Sequence, residues 1–110
     1  MSYVVVFVTA GSAEEADRIG QTLVTERLAA CANLIPAITS TYRWQGRVER
    51  AAEALLILKT REELVGPLQA RLRALHTYTV PEVIACRIVG GNPDYLRWID
   101  DSVQQPGDRS

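Results

Sequence analysis

The chain has 110 residues, 47% hydrophobic and 23% charged, a size that supports one domain with a modest core and makes surface shared between subunits worth expecting. Twelve Lys+Arg against thirteen Asp+Glu leave a formal charge of −1, which argues against a nucleic-acid binder built on a large basic face. The longest apolar runs, Val4–Val8 and Ala54–Leu58, fall well short of the roughly 20 residues a membrane helix needs, and Met1-Ser2-Tyr3 lacks the basic start of a secretory leader, so no membrane partner and a cytoplasmic address are expected.

Tyr3 to Thr9 is a β-branched run of strand length, interrupted by Gly11-Ser12. Ser12 and Glu15 have capping-box spacing, and Ala16, Ile19, Leu23, Val24 and Leu28 recur at helical intervals, which predicts a first helix up to about Ala29. From Ala32 the pattern changes to period two, with Ala32, Leu34, Ile38, Tyr42 and Trp44 on one face and Asn33, Thr39, Thr41 and Arg43 on the other; Pro36 marks a bulge or an edge. Gln45-Gly46 supplies the turn of a long hairpin whose return strand runs from Val48 to Lys59. Thr60 and Glu63 repeat the capping-box spacing before a second helix carrying Leu64, Leu68, Leu72 and Leu75, kinked or delayed by Gly66-Pro67. Val83 to Val89 reads as a fourth strand with Ile84, Cys86 and Ile88 on one face and Cys86 in the core. Asn92 and Pro93 open a short last helix with Leu96, Ile99 and Val103 on one side.

This order predicts an α+β, ferredoxin-like βαββαβ antiparallel sheet with a long central hairpin and an extra C-terminal helix, one domain over residues 1–103 followed by a mobile polar tail at 104–110. An antiparallel sheet with one wet face alternates apolar and polar residues, yet the first strand and Ala54–Leu58 are apolar on both faces. A homo-oligomer that packs sheet against sheet is the expected cover.

Cys31 and Cys86 are too few for a disulfide scaffold or a zinc ribbon and read as reduced thiols. Lys59 is the only lysine among twelve basic residues, which marks it for a role that needs an ammonium. His76, the only histidine, closes the second helix, where a capping imidazole and a functional one are both at home. Cys31, at the junction of the first helix and second strand, fits either a small core residue or a partly exposed thiol. Cys31 and His76 are the softest donors, suited to copper or zinc, but a closed zinc site takes four protein ligands, so a metal here must borrow Glu, Asp, water or a neighbouring subunit. Glu49, Glu53 and Glu82 are the carboxylates singled out. No base and oxyanion pair accompanies Cys31, so an enzyme is not expected and no catalytic residue is assigned. Tyr42 and Trp44 beside the hairpin turn, and Trp98 on the last helix, read as interface anchors.

Taken in order, Ala30-Cys31-Ala32-Asn33, Tyr42-x-Trp44-x-Gly46, Glu53 with Lys59-Thr60, His76-x-Tyr78-x-x-Pro81-Glu82 and Asn92-x-x-Tyr95-Leu96-x-Trp98 resemble the CutA divalent-cation-tolerance family over about Tyr3 to Val103. The resemblance implies a homotrimer whose hairpins wrap neighbouring subunits, and a non-enzymatic role in tolerance of copper or another divalent metal ion. It implies an intersubunit cleft where Cys31, His76 and Glu82 hold metal weakly, lined further by Glu53, Lys59 and Tyr78. His76-Thr77-Tyr78 stands where the family usually has His-Pro-Tyr, a change expected to loosen the loop. Val8 and Leu75 stand where some copper-associated relatives carry a cysteine and a second histidine, so tight copper binding is not carried over. Two other readings use the same residues: a sensor resembling the PII type, with Lys59 holding a small anion and Tyr78 packed on it, and a trimeric scaffold for partner proteins.

Overall fold

The computed structural model describes residues 2–105 and orders them as β1 (Tyr3–Ala10), α1 (Ala13–Thr25), β2 (Cys31–Trp44), β3 (Arg47–Arg61), a 3-10 turn (Glu62–Leu64), α2 (Val65–Leu75), β4 (Val83–Arg87) and α3 (Pro93–Ser102). The strands lie in the order β2-β3-β1-β4 with every neighbouring pair antiparallel, which is the ferredoxin-like α+β arrangement the element order predicts. Period two decides which side of the sheet is dry. Val4, Val6 and Val8 of β1 and Leu56 and Leu58 of β3 share one face and pack with Ile19 and Leu23 of α1 and Leu68 and Leu72 of α2, all at 2% exposure or less. Each such side chain contributes roughly 1.5–3 kcal/mol by leaving water. Gly20 lets α1 approach closely, because a Cβ there would meet Ala32 Cβ and Leu56 Cδ1 at 3.1 Å.

The helix ends show where local rules held. The Ser12 hydroxyl accepts from the Glu15 N–H at 3.1 Å, so α1 starts as predicted. It stops at Thr25 rather than near Ala29 because Arg27 adopts φ +61 and the Leu28 N–H turns back to the Leu23 carbonyl at 2.9 Å. This is a Schellman-type stop with arginine in the left-handed position, and it still delivers Leu28 to the core. The second capping box does not form. Thr60 stays inside β3, buried, and its hydroxyl donates to the Leu28 carbonyl at 2.8 Å; no side chain caps the start of α2. Gly66-Pro67 falls in the first turn of α2 and delays its start to Val65, as expected.

Two face assignments are corrected. Ile35 pairs with Leu55 but Ile38 pairs with Glu53, so Pro36 and Ala37 together oppose Ala54 in a bulge. The extra residue inverts the alternation. Ile38, Tyr42 and Trp44 therefore leave the face of Ala32 and Leu34 and join Cys31, Asn33 and Ile35 on the side away from α1 and α2. On β4, the pairs Val5 with Cys86 and Phe7 with Ile84 put Cys86 on that same outer face, where it is exposed rather than in the core.

The outer face is covered at one end only, by α3. Ile99 and Val103 pack with Ala30, Leu64 and Tyr3, and Arg61, 1% exposed, binds Asp100 at 2.8 Å, Glu63 at 2.9 Å and the Gln104 carbonyl at 3.1 Å. Asn92 caps α3 with Pro93 in its first turn, as predicted, and Arg27 donates to the carbonyls of Asp101, Ser102 and Val103 at its other end. Of the tail expected to be mobile, Gln104 is tied by its N–H to the Arg27 carbonyl and Gln105 by its amide to the Asp100 carbonyl; residues 106–110 lie outside the described residues. Beyond α3 the outer face presents half-buried Val5, Phe7, Leu55 and Ile57 and exposed Ile35 and Ile84.

Candidate functional site

The far end of the outer face bears a cleft of about 690 Å³ between the hairpin, the end of β1 and the α2–β4 loop. Tyr42 and Trp44 reach it because the Pro36 bulge has turned them outward, and Glu53 comes from β3. Tyr78 and Glu82 come from the loop, with Thr9, Ser40, Thr41, Thr77, Thr79 and Val80 between them.

His76 sets the course of that loop. As the residue that ends α2 it turns to an extended conformation at φ −84, ψ 142, and its ring is buried against β1. Nε2 lies 2.7 Å from the Thr9 carbonyl and Nδ1 accepts the Tyr78 N–H at 3.0 Å. A carbonyl only accepts and an amide only donates, so this pair of bonds defines a neutral ring with its proton on Nε2. Both nitrogens are thereby engaged inside the chain. Glu15 holds the next residue: its Oε2 accepts the Thr77 N–H at 2.9 Å and the Thr77 hydroxyl at 2.8 Å, and Oε1 accepts the Gly11 N–H at 3.3 Å. Burial pushes this carboxyl up, but the two Thr77 bonds, the His76 ring with Nδ1 3.6 Å from Oε2 and the Gly11 N–H outweigh it, leaving Glu15 below the ordinary carboxylate value. Proline at position 77 would offer neither donor, so Thr77 ties the loop where a looser one was expected.

The Tyr78 hydroxyl donates to Glu53 Oε2 at 2.8 Å, and its ring lies 4.8 Å from that of His76. Burial, then the hydrogen bond to Glu53 and the charges around it, push the phenol up to about 12.

A second group of predicted residues gathers at the opposite end of the outer face, beside α3. Cys31 pairs with Lys59 across β2 and β3. The Lys59 ammonium donates to Asn33 Oδ1 and sits 4.0 Å from Cys31 Sγ, while the Cys31 thiol donates to Asn33 Oδ1 at 3.6 Å. Burial and the adjacent Cys31 raise the Tyr95 phenol, whose ring lies 5.4 Å from exposed Trp98. Within one chain, Cys31 and Lys59 do not meet His76, Tyr78 or Glu82. Thr9, bonded to His76, pairs with Leu55, and Cys31 pairs with Lys59; four strand positions amount to roughly 13 Å.

For a metal ion, this donor set is divided. The cleft offers the hard oxygens of Glu53 and Glu82, whereas the thiol lies away from it beside an ammonium and the imidazole is spent on the backbone. No group of three His, Cys, Asp or Glu side chains able to hold a metal occurs among the described residues. Among its described residues, one chain by itself does not bring together the donors of a closed copper or zinc centre. Residue-by-residue reading quoted Asn33 and Tyr95 in motifs without a role and did not join Glu15 to Thr77. Signals for the last pair were present, a carboxylate at N3 and a Thr in place of Pro, but the two lie 62 positions apart.

The family model described as CutA1 divalent ion tolerance protein matches residues 4–102. The chain belongs to this family. It is 48% identical over 98 residues to the divalent-cation tolerance protein CutA of Thermus thermophilus, covering 89% of this chain and 95% of the relative. It is 46% identical over 102 residues to the chloroplastic CutA 1 protein of Oryza sativa, covering 93% of this chain and 58% of that longer relative. The chain thus spans little more than half the length of the plant protein. The solved structure of the Thermus thermophilus protein superposes with a TM-score of 0.91 at 46% identity, covering 93% of this chain and 99% of that one.

Proposed function

We propose that this chain acts in divalent-cation tolerance as a cytoplasmic homotrimer, a binding protein rather than an enzyme, that holds a metal ion weakly in the cleft of Glu53 and Glu82. The observation that carries the reading is the acidity of this cleft: two carboxylates line it, and no Lys, Arg or His does so among the described residues. Family membership supports the role, and the name of the Thermus thermophilus relative states it for that protein. The uncovered apolar part of the outer face supports assembly, with Tyr42, Trp44 and Trp98 as contact residues, because leaving that area wet forfeits roughly 25 cal/mol for each Å². Preference for copper in this reading requires the Cys31 thiol, which a second subunit would have to bring to Glu82. His76 then serves by fixing Tyr78 and the loop. An anion sensor finds less support, since Lys59 lies outside the cleft.

Light scattering and calorimetric titration of the reduced protein with Cu(II), Zn(II) and Mn(II) test both halves. The expected result is a trimer with weak, saturable binding that falls with acid, as carboxylate ligation requires, and that is lost in Glu53→Gln and Glu82→Gln. A monomer at micromolar concentration would remove the assembly, and binding unchanged in both variants would remove the site.

A further inference from the structure

Two carboxylates account for an acidic cleft, but they do not account for its aromatic walls. A hydrated metal ion gains little from Tyr42, Trp44 and Tyr78, all of which line the same space and are exposed at 43%, 48% and 37%. The chain goes to some length to place them. The bulge at Pro36 turns the first two onto this face, and the third is held through its backbone N–H by His76 and through its hydroxyl by Glu53. Aromatic faces beside carboxylates, with no competing cation in the lining, match a cation that is itself partly apolar: the ring quadrupoles attract its charge, the ring bodies shelter its alkyl groups, and the carboxylates balance it. The volume of about 690 Å³ lies within the ordinary range for small-molecule sites.

From this we infer that the cleft is a receptor for an alkylammonium head group, a quaternary or protonated amine. The inference rests on the cleft assigned above as the cation site and names a second class of cation for it. Tyr42 and Trp44 contribute ring faces, Glu53 and Glu82 the countercharge, and Tyr78 both a ring and the hydrogen bond that orients Glu53. A neighbouring subunit that touches only the rims of these rings and brings no lysine between the carboxylates is compatible with occupancy. An arginine of that neighbour lodged in the cleft is not.

The test uses the assembled protein in a Trp98→Phe background, where Trp44 is the remaining one of two tryptophans and its fluorescence reports the cleft. Tetramethylammonium chloride is titrated against tert-butyl alcohol, a neutral molecule of similar shape, with sodium chloride holding ionic strength constant. The expected result is a saturable response to tetramethylammonium and one at least about tenfold weaker to the alcohol. By calorimetry, Trp44→Leu weakens tetramethylammonium roughly three- to tenfold, and Glu82→Gln weakens both tetramethylammonium and the metal. Circular dichroism and melting confirm that the variants fold. An equal response to the cation and the alcohol overturns the inference, and so does the absence of a saturable response to tetramethylammonium, the outcome required if a neighbour's arginine fills the cleft. If the metal still binds and is lost in Glu82→Gln, the failure is of this inference alone; if the metal titration ignores Glu53→Gln and Glu82→Gln, the metal reading fails separately.

Discussion

Glu15 sits at the N3 position of a helix, where a carboxylate ordinarily serves the helix's own start, yet it ties Gly11 to Thr77 and so fastens the cleft loop to α1. Because its folded pKa is depressed below the ordinary carboxylate value of 4.5, its contribution is full above that value and is lost as pH falls through the lower, folded value. Glu15→Gln is expected to cost about 1–2 kcal/mol at neutral pH, the difference between charged and neutral hydrogen bonds, and to flatten the acid limb of a denaturation series below pH 4.5. A variant with the same acid limb as the parent would place the sensitivity elsewhere. Tyr78 titrates in the opposite sense. A phenol raised from 10 to about 12 stabilises the fold fully below pH 10, and that stabilisation is lost as pH rises from 10 to about 12. In near-ultraviolet titration two of four tyrosines, Tyr78 and Tyr95, should therefore ionise late, and Glu53→Gln should bring Tyr78 alone back towards 10, because it removes the neighbouring charge.

At the scale of elements, what could be read in advance was what depends on neighbours in sequence. Ser12 as a cap, Asn92-Pro93 as a helix start, the Gln45-Gly46 turn and a disturbance at Pro36 are all local chemistry, and all are found. Thr60 and Glu63 carried the same local signal as Ser12 and Glu15, but there the β1–β3 ladder extends through Arg61 and tertiary pairing overrides the box. The alternation of β2 failed for a different reason: Pro36 indicated an irregularity without saying whether it added a residue, and the faces of every position beyond it depend on that count. The candidate residues were found by type and motif, whereas their division between two ends of the sheet is a matter of register. Helix-to-sheet contact yields its own prediction. Gly20→Ala gains nearly 1 kcal/mol of helix propensity, but the new methyl meets Ala32 Cβ, fixed to its strand, at 3.1 Å. Overpacking costs about 1–3 kcal/mol, so the net effect in urea unfolding should be destabilising by about 1 kcal/mol; a stabilised variant would show that α1 can lift away freely.

For the whole molecule, the buried Arg61 joins the end of β3 to α3 and to Gln104, and so decides how much of the outer face this chain covers by itself. Asp100→Ala leaves that guanidinium with Glu63 as its remaining carboxylate. Such a loss should cost about 2 kcal/mol, below the usual toll of orphaning a buried charge because Asp100 is partly solvated. Hydrogen exchange should locate the change in α3, with the β1–β3 ladder still protected; uniform loss of protection would mean that α3 does not open separately from the sheet. The bulge opposite Ala54 has a consequence for how the hairpin tolerates changes of length. Tyr42 and Trp44 take their side from Glu49 and Arg47, their partners on the unbroken β3, and not from the count of residues back to Ala32. Deleting one residue at the bulge would therefore restore plain alternation through β2 and leave both rings on the cleft side. The irregularity is where this arm can lose a residue without losing the cleft.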